Sequence, residues 1–161
     1  MDIIKLDFSE LEETGSFIEL EREVQFTDLD YRGDKIEIPS PLDLDLKIMV
    51  SGNGFILTGK LEGILKFNCS RCLQVFPREI EINIEEELKK EDIEDLKNVA
   101  ITDLLKKNIF LAVPIKPLCS EECKGLCSNC GQNLNKKDCG CTEESVDPRL
   151  AGLKDYLNDE E

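Results

Sequence analysis

The 161-residue chain reads as an α+β protein: an antiparallel β-sheet-rich body with a helix and a C-terminal cysteine-rich module. Three observations predict this. Apolar residues in the first hundred positions recur with period two between turn signals. One stretch, beginning at Thr102, changes to helical spacing. Eight cysteines fall in close pairs, six of them after residue 101. Residues 1–100 are therefore assigned to the β-rich body. Residues 101–161 are assigned to the helix, the cysteine module and a C-terminal helix, packed as one unit with the body.

The elements follow in order. Ile18, Leu20, Val24 and Phe26 share one parity, with Glu19, Glu21 and Glu23 on the other. From Leu42 to Val50 every second residue is Leu, Ile or Val, alternating with Asp43, Asp45, Lys47 and Met49. Such a strand buries one face and solvates the other. Ser51-Gly52-Asn53-Gly54 is a hairpin turn signal leading into a strand over 55–60. Further strands are expected at 64–67 and around Ile80, Ile82 and Ile84. The charged run 85–97 reads as a solvated connector. Thr102-Asp103 starts a helix with Leu104, Leu105, Ile109 and Ala112 on one side, and Pro114 ends it. Asp147-Pro148 resembles a helix start followed by the stripe Leu150, Leu153 and Leu157.

Composition excludes several function classes. The chain has no histidine, which removes Ser-His-Asp, Cys-His and His-metal mechanisms. Its formal net charge is −15, which disfavours a general nucleic-acid-coating surface and docking on an anionic membrane. Seven Phe, two Tyr and no Trp are few for a base-stacking platform. The opening Met1-Asp2-Ile3-Ile4-Lys5 is no basic, apolar leader, and no stretch approaches a membrane span, so a cytoplasmic location is expected. In a reducing compartment, paired cysteines are metal ligands or redox centres more often than disulfides.

The pairs are Cys69-x-x-Cys72, Cys119-x-x-x-Cys123, Cys127-x-x-Cys130 and Cys139-x-Cys141. Two thiolates on one tight turn reach a metal ion from the same side, and two such pairs complete a tetrahedral site. Gly131, directly after Cys130, suits the turn of such a knuckle. Cys127, Cys130, Cys139 and Cys141 can close a local site, leaving Cys69 and Cys72 to meet Cys119 and Cys123 in a long-range one. Two zinc sites of four cysteines each are expected, with one ion in the local cluster as the fallback. All-cysteine ligation points to structural zinc. The rivals are thiol exchange at Cys69 and Cys72, which lacks the usual helix N-terminus, and an iron–sulfur cluster. Six lysines, Lys106, Lys107, Lys116, Lys124, Lys136 and Lys137, give residues 101–141 a net charge of +2 and are the candidates for contact with RNA.

Beyond these readings, Cys69-Ser-Arg-Cys72-Leu73, Leu111-Ala-Val-Pro-Ile-Lys-Pro-Leu-Cys119, Cys123-Lys-Gly-Leu-Cys-Ser-Asn-Cys-Gly131, Asn133-Leu-Asn135 and Asp147-Pro-Arg-Leu150 resemble the YceD family, also called large ribosomal RNA subunit accumulation proteins. The resemblance implies a role in building the large ribosomal subunit, seen as accumulation of its 23S rRNA. It supplies no catalytic residues to carry over, and places all eight cysteines where the cysteine-rich members have them. The expectation is a non-enzymatic, zinc-stabilised factor. Its partner would be a large-subunit assembly intermediate, met through a basic ribosomal protein, rRNA or both, with no small-molecule substrate. The alternatives are a zinc-ribbon protein-interaction regulator outside ribosome assembly and, third, a CxxC thiol oxidoreductase. A metal hydrolase has no base among these residues.

Overall fold

The computed structural model describes residues 4–11, 13–31 and 33–141. Its centre is a four-stranded antiparallel sheet of β2 (Phe17–Val24), β5 (Leu42–Ser51), β6 (Gly54–Asn68) and β7 (Val75–Lys89), hydrogen-bonded in that order. Two short pairs flank it, β1 (Lys5–Leu6) with β8 (Val99–Ala100), and β3 (Leu29–Tyr31) with β4 (Asp34–Ile36). The single helix among the described residues longer than a 3-10 turn is α1 (Thr102–Ala112).

Period-two patterning sets the sheet's two faces. Leu42, Leu44, Leu46, Ile48 and Val50 are all buried, as are Phe55, Leu57, Leu61, Leu65 and Phe67 on β6 and Ile82 and Ile84 on β7. Fully burying a side chain of this size contributes about 1.5–3 kcal/mol. The N-terminal Ile4, Leu6, Phe8 and Leu11 close the core, with the Phe8 and Phe55 rings 4.9 Å apart. Ile101, Leu105 and Ile109 add the helix to the same core.

Four expectations need correction. The strands expected at 55–60 and 64–67 are one fifteen-residue strand, β6. Its glycines are not breaks but close approaches: a Cβ at Gly59 would collide with the Asp45 carbonyl oxygen, and one at Gly63 would stand 2.5 Å from Leu42 Cδ2. The charged run is not wholly a connector, because Glu85–Lys89 completes β7, in register with Gly54–Thr58. As an edge strand, β7 solvates its acids on one face while Ile84 is buried and Glu86 anchors the helix. Finally, the helix buries Leu105, Asn108 and Ile109, and leaves Ala112 exposed. Asn108 is tolerated inside because its Nδ2 donates to the Leu104 carbonyl and to Glu86 Oε1, each at 3.0 Å. The β2 strand also ends at Val24, so Phe26 joins the core from a loop. The C-terminal stripe of Leu150, Leu153 and Leu157 lies outside the described residues.

The opposite face of the sheet is acidic. Register places Glu23, Asp43, Glu62 and Glu81 side by side across all four strands. Lys60, from the next row, reaches Glu81 of this row at 3.0 Å, and Lys47 pairs with Glu19 at 2.7 Å further along the sheet.

Because Gly59 sits so close to β5, Gly59→Ala is expected to cost about 1–3 kcal/mol of stability through forced separation of the strands. Urea unfolding followed by circular dichroism measures it.

Candidate metal centres

The β6–β7 hairpin closes through a cysteine knuckle. Past the last ladder pair, Asn68 with Val75, the chain runs Cys69-Ser-Arg-Cys72-Leu73-Gln74. The Cys69 N–H donates to the Gln74 carbonyl and the Leu73 N–H to the Cys69 carbonyl, both at 2.9 Å. The same two bonds recur in Cys127-Ser-Asn-Cys130-Gly131-Gln132, where Cys127 N–H meets the Gln132 carbonyl at 2.8 Å and Gly131 N–H the Cys127 carbonyl at 2.9 Å. Both turns need a left-handed residue after the second cysteine. Gly131 supplies φ +73°, and Leu73 adopts φ +60° at the matching place with its side chain 66 % exposed. Sequence reasoning missed this repeat; the signal was the shared Cys-Ser-x-Cys-x-Gln string.

After α1 the chain returns to the first knuckle. Ser70 N–H donates to the Pro117 carbonyl at 2.8 Å, and Arg71 Nη1 donates to the carbonyls of Glu121 and Cys123 at 3.0 and 2.9 Å. This brings Cys119 and Cys123 to Cys69 and Cys72. Their four sulfurs lie within 4.8 Å of one another, as do those of Cys127, Cys130, Cys139 and Cys141. Cys69 Sγ is 3.8 Å from Cys123 Sγ, and Cys72 Sγ is 3.7 Å from Cys119 Sγ. A tetrahedron built on zinc–sulfur bonds of ~2.3 Å has edges of ~3.8 Å. Each cluster could therefore hold one metal ion, and all eight thiols are free to ligate. Cys69, Cys72 and Cys123 are buried beneath Phe76, Leu118 and Leu126, whereas the second cluster is more open.

The thiols within each cluster differ in acidity. Burial alone would raise Cys69, but N–H groups of Cys72, Cys119 and Arg71 hold it down to about 6. Burial first, and then the sulfurs of Cys123, Cys69 and Cys72, push Cys119 up to about 12. In the second cluster the Cys130 and Asn129 N–H groups lower Cys127 to about 7, while the sulfurs of Cys130 and Cys139 lead in raising Cys141 to about 12. A gathered set of four thiols cannot ionise together without a cation between them. The donor set thus fits a soft or borderline cation such as zinc.

Residues 57–157 match the family described as large ribosomal RNA subunit accumulation protein YceD. The chain belongs to the YceD family. The matched residues include both clusters in full and begin within β6. Uncharacterised proteins of Mycobacterium bovis and Mycobacterium tuberculosis are each 28 % identical over 133 residues, 74 % of this chain and 63 % of theirs. The chain therefore spans under two thirds of the length of those relatives. An Arabidopsis thaliana protein, large ribosomal RNA subunit accumulation protein YCED homolog 1, chloroplastic, is 31 % identical over 70 residues, 42 % of this chain and 22 % of its own. No solved structure matches.

In this YceD-family chain the six lysines divide between the helix and the cysteine-bearing segments. Lys106 lies 3.7 Å from Asp103 and Lys107 3.0 Å from Glu86, so each has a carboxylate partner. Lys116, Lys124, Lys136 and Lys137 are exposed on the cysteine-bearing segments. The Cys69–Cys72 pair sits in a hairpin loop and not at a helix start, so the helix dipole that activates a redox CxxC is missing there. No helix among the described residues is long and apolar enough to cross a membrane.

The knuckles differ in strain. A non-glycine residue in the left-handed region costs roughly 1–2 kcal/mol. Gly131→Ala has open space around its Cβ, so backbone strain alone is expected to speed exchange of the Cys127 amide about tenfold, the equivalent of ~1.4 kcal/mol. Leu73→Gly is expected to slow exchange of the Cys69 amide. Hydrogen exchange read by NMR checks both.

Proposed function

We propose that this protein is a non-enzymatic assembly factor of the large ribosomal subunit, stabilised by two structural zinc ions. Cys69, Cys72, Cys119 and Cys123 ligate one ion, and Cys127, Cys130, Cys139 and Cys141 the other. The observation that carries the reading is that the YceD match takes in both four-sulfur clusters. The family's description names accumulation of large-subunit rRNA, and the Arabidopsis relative carries the same description. Zinc replaces the missing core in the C-terminal segment, where apolar residues are few, and its binding energy becomes folding energy. The factor acts where ribosomes are built, in the cytoplasm.

Its contact is with an assembly intermediate. Two zinc ions, each held by four thiolates, take the net charge from −15 to about −19, so a basic ribosomal protein is the electrostatically favoured neighbour. The carboxylate row Glu23-Asp43-Glu62-Glu81 supports this, since like charges directly opposite weaken a sheet, Lys60 pairs only with Glu81, and a cationic partner would relieve the rest. The exposed Leu73, Val75, Leu111 and Ile115, near the first cluster and the helix end, offer apolar area to the same kind of partner. Any rRNA contact falls to Lys116, Lys124, Lys136 and Lys137, with Lys106 and Lys107 already paired.

The purified chain is expected to hold two zinc ions, and Cys69→Ser or Cys127→Ser to hold at least one fewer, measured by elemental analysis after gel filtration. Parental zinc content in either variant would remove that cluster from the reading. Cells depleted of the protein are expected to show a deficit of large subunits with free small subunits in excess on a sucrose gradient. A normal profile would refute the assembly role and favour a zinc-ribbon regulator acting elsewhere.

A further inference from the structure

The two clusters are joined by a segment that belongs to one in sequence and serves the other in space. Asn133, Leu134 and Asn135 lie between Cys130 and Cys139, both in the second cluster. Yet Asn135 Nδ2 stands 3.2 Å from the sulfur of Cys123, in the first. The amide is fixed from both sides. Its Oδ1 accepts the Lys124 N–H at 2.8 Å, which turns Nδ2 toward the sulfur, and Nδ2 also donates to Asn133 Oδ1 at 3.0 Å. Asn133 in turn donates to Gln74 Oε1 at 3.2 Å, reaching the residue that closes the first knuckle, and Leu134 N–H donates to the Gly125 carbonyl at 2.9 Å. At its near end the loop is pinned by the Cys127–Gln132 pair of the second knuckle.

We propose that Asn135 is a positioning residue for the first metal centre, and that its placement depends on metal in the second, so that the two centres load as a coupled unit. This rests on the reading of both clusters as zinc sites. A donor aimed at a ligating sulfur orients it and steadies the thiolate, and loss of such outer partners costs metal affinity tenfold to a hundredfold. The loop can offer that donor only while it is ordered, and with few apolar residues of its own it is ordered by the ligands at its two ends.

A double-mutant cycle on the full chain tests this, with chelator competition read centre by centre through alkylation of the Cys69–Cys123 and Cys127–Cys141 thiols. Cys139→Ser, which opens the second centre, is expected to weaken zinc at the first at least tenfold. Asn135→Asp keeps the acceptor for Lys124 but sets an oxygen against the sulfur. It is expected to weaken the first centre ten- to a hundredfold and to shift the cobalt(II)–thiolate absorption of that centre alone. Asn135→Ala moves the affinity the same way without adding charge. In either Asn135 background, Cys139→Ser is expected to cost the first centre little more. Unchanged affinity at the first centre in Cys139→Ser, strictly additive losses, or a cobalt spectrum untouched by Asn135→Asp would each overturn the proposal while leaving the zinc reading in place. A parental chain that takes up no metal would overturn both.

Discussion

Cys69 and Cys123 stand 54 residues apart in sequence, and their sulfurs meet at 3.8 Å. That contact constrains more of the chain than its size suggests. The knuckle holding Cys69 is the hairpin loop between the two longest strands, so whatever meets it is fixed relative to the sheet. The segment after α1 must therefore run back along β7 and pass Pro117 against Ser70 before its cysteines can arrive. Phe76 packs against both the main core and the buried cysteines, so the sulfur cluster continues the apolar interior rather than hanging from it. Four thiols so gathered repel as anions, and proton sharing alone leaves Cys69 acidic and Cys119 reluctant. A dication would resolve that conflict, so the geometry and the electrostatics both fit a metal ion there.

Much of this was legible in residue order. Leu42 to Val50 could be read as a strand because every alternate side chain is aliphatic and every one is buried. The cysteine spacing divides into the same two groups of four that the structure brings together. What escaped reading shares one physical cause, the neighbour in space. The strands expected at 55–60 and 64–67 could not be joined in sequence, because the β5 atoms that forbid a Cβ at Gly59 and Gly63 are invisible there. Glu85–Lys89 looked like a connector because an edge strand with one solvated face tolerates acids at any density, until Glu86 is seen to hold Lys107 and Asn108. Asn108 itself broke the helical pattern, and only the carboxylate opposite explains its burial.

The repeated knuckle shows how identical hydrogen bonding can be reached with different strain. The second turn uses glycine, where a positive φ is free. The first uses Leu73, which holds the same φ at the expense of backbone strain and returns little packing, being mostly exposed. The first turn can bear that strain because a ladder of fifteen residue pairs clamps both of its ends. Nothing comparable surrounds the second, whose support among the described residues is the short bridge from Leu126 to Asn133 and the loop beyond it. Strain is placed where the sheet over-determines the backbone, and freedom where it does not.

Charge is distributed along the same division. The sheet face concentrates carboxylates in a row that no cation fully offsets, while the cysteine-bearing segments carry the exposed lysines. Metal in the clusters would deepen the negative potential close to those lysines, drawing them toward the thiolates and away from phosphate. Two such doubly negative centres would leave the C-terminal segment a poor competitor for RNA on electrostatics alone. On the proposed reading, the assembling subunit is met first through cationic protein surface, and RNA contact follows from where that protein sits rather than from an attraction of this chain for the nucleic acid.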